Sequence, residues 1–136
     1  MITDYKYRKL RKIVKTSGVA KPVKELLFCT LRDYKKQGSE PETGTFGSSY
    51  VKKETQVGRC LVGAAIHDLK VFDSFTSKIR GDELTWESAA VAAFGVNSSQ
   101  CSDIITGFDS VTEEEGFVPA NKTQRLAYRL GKELGV

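Results

Sequence analysis

Apolar residues recur at helical spacing in the first part of the chain. The set Tyr7, Leu10 and Val14 follows the i, i+3, i+7 pattern and predicts a helix over residues 4–15, with Asp4 as its N-cap. A second helix is predicted over residues 22–36, because the proline at position 22 would stand in the first turn, where proline is tolerated. The apolar stripe of this second helix consists of Val23, Leu27, Leu31 and Tyr34.

A segment with little apolar periodicity follows these two helices. Residues 38–58 are rich in glycine, serine and threonine, a composition typical of loops. Within this segment, Ser49–Val51 and Thr55–Val57 could pair as a short β-hairpin over residues 49–57. We therefore expect a flexible connection that holds at most this small hairpin.

The residues that follow Cys60 form the most apolar run in the chain. The sequence from 61 to 69 is apolar nearly all round and rich in small residues, which favours a buried central helix; a central strand is the alternative. Three more helices are predicted: one after a Thr85 cap and ended by Gly95, a short one from Asn97 to Gly107, and a last one that begins at Asn121. Asn97 with Gln100, and Asn121 with Gln124, resemble capping boxes.

These elements predict a mainly α protein of about six helices. The 136 residues, 40% of them hydrophobic, suit one compact domain over residues 1–136, made of a basic helical pair (4–36), the flexible segment (38–58) and a helical core (60–135). The first residues are polar, and no apolar run is long enough for a membrane span, so we expect a cytoplasmic protein. The three cysteines lie far apart in sequence, which favours reduced thiols. If the gene belongs to a phage, that compartment is the host cytoplasm.

Positive charge is concentrated at the start of the chain. Eleven of the first thirty-six residues are Lys or Arg against three carboxylates, so this segment carries +8 while the remaining hundred residues carry −4. The helical pair is therefore a candidate surface for an acidic partner or for nucleic-acid phosphates, and a solvated surface without a partner is the alternative. The candidate contacting residues are Arg8, Arg11, Lys12, Lys15, Lys21 and Lys24.

A second candidate site lies in the segment 43–53. Backbone amides, hydroxyls and two cations in this stretch could hold a nucleotide or another small anion, although the spacing matches no known phosphate-binding loop. An ordinary connecting loop is the alternative. The residues concerned are Thr45, Gly47, Ser48, Ser49, Tyr50, Lys52 and Lys53.

The chain offers little material for catalysis or for metal binding. Cys60 follows Arg59 at a predicted helix start, where a thiol pKa would be lowered, but His67 would lie about 10 Å away on the same helix and could not serve as its base. We expect an inert core thiol, and His67 with Asp68 as a surface pair. Asp103 and Asp109 are expected to serve as structural caps, since no cleft is indicated. No catalytic group, metal site or cofactor is predicted.

The stretch Gly58–Ile66 resembles a Cys-x-Val-Gly-(Cys or Ala)-Leu-Ile segment of a group of small bacterial and phage proteins. The resemblance extends over residues 27–109, with departures at Ala65, at His67-Asp68 and at Phe108. It implies a small phage-type accessory protein, and no activity comes with it.

The sequence thus leads to three functional hypotheses. The first is a non-enzymatic phage-type protein that binds a host or phage protein, in an anti-defence or host-takeover role. The second is an electrostatic nucleic-acid binder that uses the basic helices, and the third is a binder of a small anionic ligand at residues 43–53. No membrane partner is expected, and the sequence leaves the oligomeric state open.

Overall fold

The computed structural model describes residues 2–36, 40–43, 60–69, 86–113 and 115–136. These residues form six α-helices and no strand, so the predicted mainly α fold is confirmed. The hairpin at 49–57, the anion loop from Thr45 to Lys53 and the Thr85 cap lie outside the described residues. The helices are α1 (Asp4–Lys15), α2 (Lys21–Lys36), α3 (Leu61–Leu69), α4 (Trp86–Phe94), α5 (Ser98–Glu113) and α6 (Lys122–Leu134).

The helix starts depend on side chains that accept hydrogen bonds from the first turn. The cap of α1 is Thr3, whose hydroxyl oxygen accepts from the Lys6 amide at 3.1 Å, so the prediction of Asp4 was wrong by one residue. The predicted box at Asn97 is complete, because the Gln100 amide donates to its Oδ1 at 2.8 Å while the Asn97 amide donates to Gln100 Oε1 at 3.0 Å. Each cap satisfies amide groups that the helix itself leaves unbonded.

The cap of α6 forms only half of the predicted box. The Asn121 side chain accepts from the Gln124 amide at 2.9 Å, but Gln124 Oε1 accepts from the Ala120 amide instead of the Asn121 amide. The amide nitrogen of the Gln124 side chain donates to Asp103 on α5 at 3.0 Å. This residue therefore links the start of α6 to the neighbouring helix, in addition to its role in the cap.

Helix α3 lies at the centre of the core, as predicted. Its first six residues, Leu61 to Ile66, are buried, and the helix contacts α2, α4 and α5. The prediction of a helix is confirmed over the alternative of a strand. Small residues such as Ala64 and Ala65, both 0% exposed, let three helices approach one short helix closely. The hydroxyl of buried Thr30 on α2 donates to the Leu61 carbonyl at 2.6 Å and fixes the two helices together.

The end predicted for α5 was wrong. Gly107 was expected to stop the helix, but α5 continues to Glu113. The reason is packing against α6: a Cβ atom at Gly107 would lie 2.3 Å from the Gln124 carbonyl oxygen and 2.9 Å from the Ala127 Cβ. Glycine at this position lets the two helix backbones approach, which no local signal in the sequence reveals.

Ion pairs and lysine caps hold α1 against its neighbours. Lys9 pairs with Glu133 of α6 at 2.9 Å, and Lys6 donates to the Glu133 carbonyl at 2.8 Å. Lys35 of α2 pairs with Asp4 at 2.9 Å. The bonded lysine is the main cause that lowers the pKa of each carboxyl, Lys35 for Asp4 and Lys9 for Glu133. Helix α1 is therefore fixed between α2 and α6.

Candidate functional site

Two open depressions flank the C-terminal end of α1, and both are bordered by cations. One lies between α1 and α2 with a volume of about 430 Å³, and the other lies between α1 and α6 with a volume of about 270 Å³. Thr16 lines both, so the depressions adjoin at the end of α1. We call the set of cations around them the basic surface: Arg11, Lys12, Lys15, Lys122, Arg125 and Arg129.

The depression between α1 and α2 combines cations with an aromatic ring. Phe28 of α2 is partly buried against the core, and the Arg11 guanidinium carbon lies 4.9 Å from the centre of its ring. The same carbon lies 5.8 Å from the Tyr7 ring centre, and Arg11 donates to the Tyr7 hydroxyl at 3.4 Å. The planar Arg11 group is thus positioned by two rings through cation–π attraction. Lys12 and Lys15 complete the rim.

The depression between α1 and α6 has apolar residues from both helices and cations along one side. Ile13 and Leu126 supply the apolar part. Lys122, Arg125 and Arg129 stand at i, i+3 and i+7, so they share one face of α6. The hydroxyls of Thr16 and Ser17 donate to carbonyls within α1, at Lys12 and Val14 respectively. The cations, not the hydroxyl groups, are therefore the groups that can meet an anion here.

The basic surface makes no ion pair within the described part of the chain, although the charge of Arg129 is a minor cause that lowers the pKa of Glu133. No carboxylate is found among the described residues that line either depression, and no ion pair in those residues involves any of the six cations. Cations grouped without counter-charges repel one another and raise the local positive potential. An acidic ligand would relieve that repulsion.

The structure groups only some of the cations predicted from the sequence. Arg11, Lys12 and Lys15 lie together, as described above. Arg8 and Lys21 are exposed but line neither depression. Lys24 is half-buried, and its ammonium donates to the Lys15 carbonyl at 2.9 Å. That bond caps the end of α1, so Lys24 has a structural role there.

Three cations of the basic surface were missed in the sequence. Lys122, Arg125 and Arg129 belong to the last helix, for which only the start at Asn121 and its capping box were predicted. The signal was their i, i+3, i+7 spacing, together with four basic residues and one acidic residue over Lys122–Leu134. This signal was hidden because only the net charge of −4 over all of the last hundred residues was considered.

A second polar cluster lies between α2 and α3. His67 Nδ1 lies 2.8 Å from Oδ1 of Asp33, which is 0% exposed, and Arg32 pairs with Asp68 at 2.7 Å. The expectation of a surface pair at His67 and Asp68 is therefore wrong, since Asp68 is only 3% exposed and both side chains meet α2. These bonds satisfy polar groups at the packed seam between two helices.

The three thiols are held in apolar or bonded surroundings. Cys60 is 3% exposed and its sulfur accepts from the Gly63 amide at 3.2 Å, as the cap of α3. Burial raises the pKa of the Cys101 thiol to about 12, and burial also raises the pKa of Cys29 despite the nearby Arg32. The thiols of Cys29 and Cys101 are therefore protonated and poorly nucleophilic at neutral pH.

The remaining candidate groups form no further site among the described residues. His, Cys, Asp and Glu side chains do not gather in threes where a metal could bind, and no described helix has the length and apolar character to cross a membrane. Asp103 accepts from Gln124, as described above, so its role is a link between helices. The seven predicted residues of the anion loop, Thr45 to Lys53, lie outside the described residues.

Comparison with other proteins adds no assignment. No protein-family model, no curated protein and no solved structure matches the chain. The geometry of the basic surface is therefore the basis for assigning a function.

Proposed function

We propose that the protein binds nucleic acid through the phosphate backbone, by means of the basic surface and without a chemical step. The single observation that carries this proposal is the convergence of six cations from two distant segments of the chain around two adjoining depressions. A chain of phosphates offers evenly spaced negative charges that can meet several such cations at once.

The arrangement of the cations favours an extended polyanion over a single small anion. Three cations lie on the α1 side and three on the α6 side, with Thr16 between the two depressions. A strand that crosses the end of α1 can place successive phosphates in both depressions. Arginine supplies half of the set, and its planar guanidinium can bond a phosphate through two N–H groups.

The experiment is a salt titration of binding to a fluorescently labelled oligonucleotide, read by anisotropy. If all six cations meet phosphates of a single strand, the logarithm of affinity should fall with the logarithm of salt with a slope of about −4. Arg125→Glu should lower the affinity at low salt at least tenfold and make the slope shallower by about 1 or more. The matched control is Lys36→Glu, an exposed residue of α2 outside the basic surface, which makes the same change in charge.

Two outcomes would contradict the proposal. The first is no binding of any oligonucleotide by the wild-type protein at low salt. The second is an equal loss for Arg125→Glu and Lys36→Glu, because it would reveal a response to net charge alone. In either case, the hypothesis of a phage-type accessory protein that binds a host or phage protein becomes the leading one. The anion loop at 43–53 stays a separate prediction.

A further inference from the structure

We infer that the basic surface is selective for single-stranded nucleic acid, because an unpaired base can stack on the platform formed by Arg11 and Phe28. This inference rests on the proposed function and specifies its substrate class. The depression between α1 and α2 holds both groups, together with Lys12 and Lys15 at its rim.

The platform is fixed before any ligand arrives. The Arg11 guanidinium lies 4.9 Å from the Phe28 ring centre and 5.8 Å from that of Tyr7, and it donates to the Tyr7 hydroxyl. Phe28 is itself anchored against the core. An arginine that contacts two rings loses less freedom when a base stacks on its open face, so stacking costs less there than on a side chain without such contacts. Bases stack on guanidinium planes as well as on aromatic rings.

The shape and composition of the site favour unpaired bases. In a duplex the faces of the bases are covered by their neighbours, so a stacking platform has nothing to bind. In a single strand the bases can turn toward the protein while the phosphates stay on the cations. Phe28 supplies apolar surface beside the cations of the depression between α1 and α2, whereas Ile13 and Leu126 in the other depression are 9% and 4% exposed and offer a ligand little area. The depression with Arg11 and Phe28 is therefore the one that can receive a base.

The test compares three labelled ligands at one salt concentration: an oligothymidylate strand, an abasic strand of equal length, and the oligothymidylate annealed to its complement. We expect the wild-type protein to bind the oligothymidylate about five- to a hundredfold more tightly than the abasic strand, and more tightly than the duplex. Arg11→Lys keeps the positive charge and removes the planar guanidinium on which a base would stack. It should lose most of the preference for bases, measured as the ratio of the affinities for the oligothymidylate and the abasic strand, so that a change in phosphate binding common to both ligands cancels.

The control is Arg8→Lys, the same substitution one turn earlier on α1 and outside the basic surface, which should keep the preference. Equal affinity of the wild type for the oligothymidylate and the abasic strand, or for the duplex, would overturn the inference and leave backbone binding intact. A preference that survives Arg11→Lys would also overturn it. Absence of binding to all three ligands would instead overturn the proposed function itself.

Discussion

Substitution of Gly107 by alanine tests whether α5 and α6 pack backbone to backbone. The added Cβ would lie 2.3 Å from the Gln124 carbonyl oxygen, 2.9 Å from the Ala127 Cβ and 3.0 Å from the Gln124 carbonyl carbon. An ordinary contact needs roughly 3.4 Å or more, so the two helices must separate by about 1 Å. Two of the three atoms belong to the backbone, which cannot rotate away as a side chain can.

The cost combines two destabilising effects with one stabilising effect. Overpacking typically destabilises by about 1 to 3 kcal/mol, and a clash with backbone belongs at or above the top of that range. A gap of about 1 Å along the most extensive helix pair in the fold also loses dispersion contacts. Alanine returns about 1 kcal/mol through its better helix propensity. We therefore expect Gly107→Ala to lower the free energy of unfolding by about 2 to 4 kcal/mol.

The assay is urea unfolding followed by far-ultraviolet circular dichroism, with the midpoint and the slope fitted separately. Gly131→Ala is the matched control, because it lies on α6 in the same interface and its added Cβ would meet only the side-chain atoms of Val111, Phe108 and Val136, which can adjust. Its expected cost is about 1 kcal/mol or less. A lower midpoint with an unchanged slope would locate the loss in the native state.

The reasoning would be refuted if Gly107→Ala were as stable as the wild type or more stable. That result would mean that only the propensity term acts, and that Gly107 lies in a helix with room beside it. A loss of equal size in both variants would also refute the distinction between backbone and side-chain neighbours.

Two further predictions concern a helix cap and a buried thiol. Asn97→Ala should lower the free energy of unfolding by about 1 kcal/mol, because it removes the Oδ1 that accepts from the Gln100 amide and leaves only the bond from the backbone amide of residue 97 to Gln100. Ser99→Ala should change little, and urea unfolding measures both variants. Burial raises the pKa of Cys101 from 9.0 to about 12, so above pH 9 the thiol loses its proton more easily in the unfolded protein than in the folded one. The contribution of this thiol to stability is therefore complete below pH 9 and is lost as the pH rises from 9 towards 12. Unfolding at about pH 8 and about pH 10 should therefore show a smaller alkaline loss for Cys101→Ala than for the wild type, and equal losses would contradict the burial argument.

The helices that the sequence predicted best are those with strong local signals. The apolar spacing of α1 and α2, and the box at Asn97, are each contained within a single helix, so each could be recognised without knowledge of the fold. The end of α5 could not. The sequence around Gly107 resembles the end of a helix, and only the close packing of α6 explains why a glycine lies inside α5.

The candidate site was predicted in part for the same reason. Arg11, Lys12 and Lys15 lie within five residues, so their grouping follows from one helix. Their junction with α6 brings together residues more than a hundred positions apart, and no pattern within either helix encodes it. The pair of Asp33 and His67 was missed similarly, since 34 positions separate them.

The positive charge of the first helices serves two distinct purposes. Lys6, Lys9 and Lys35 are bonded to groups on neighbouring helices, and Lys24 caps the end of α1, so these lysines stabilise the position of that helix. The cations of the basic surface make no such bonds among the described residues. The charge of +8 on residues 1–36 therefore overstates the number of cations that are open to a ligand there. Helix α6 adds further cations to the basic surface. The exposed ion pairs of Lys9 and Lys35 add little to the buried contacts of Leu10 and Val14, so the spacing of both depressions depends mainly on the packing of α1 against its neighbours.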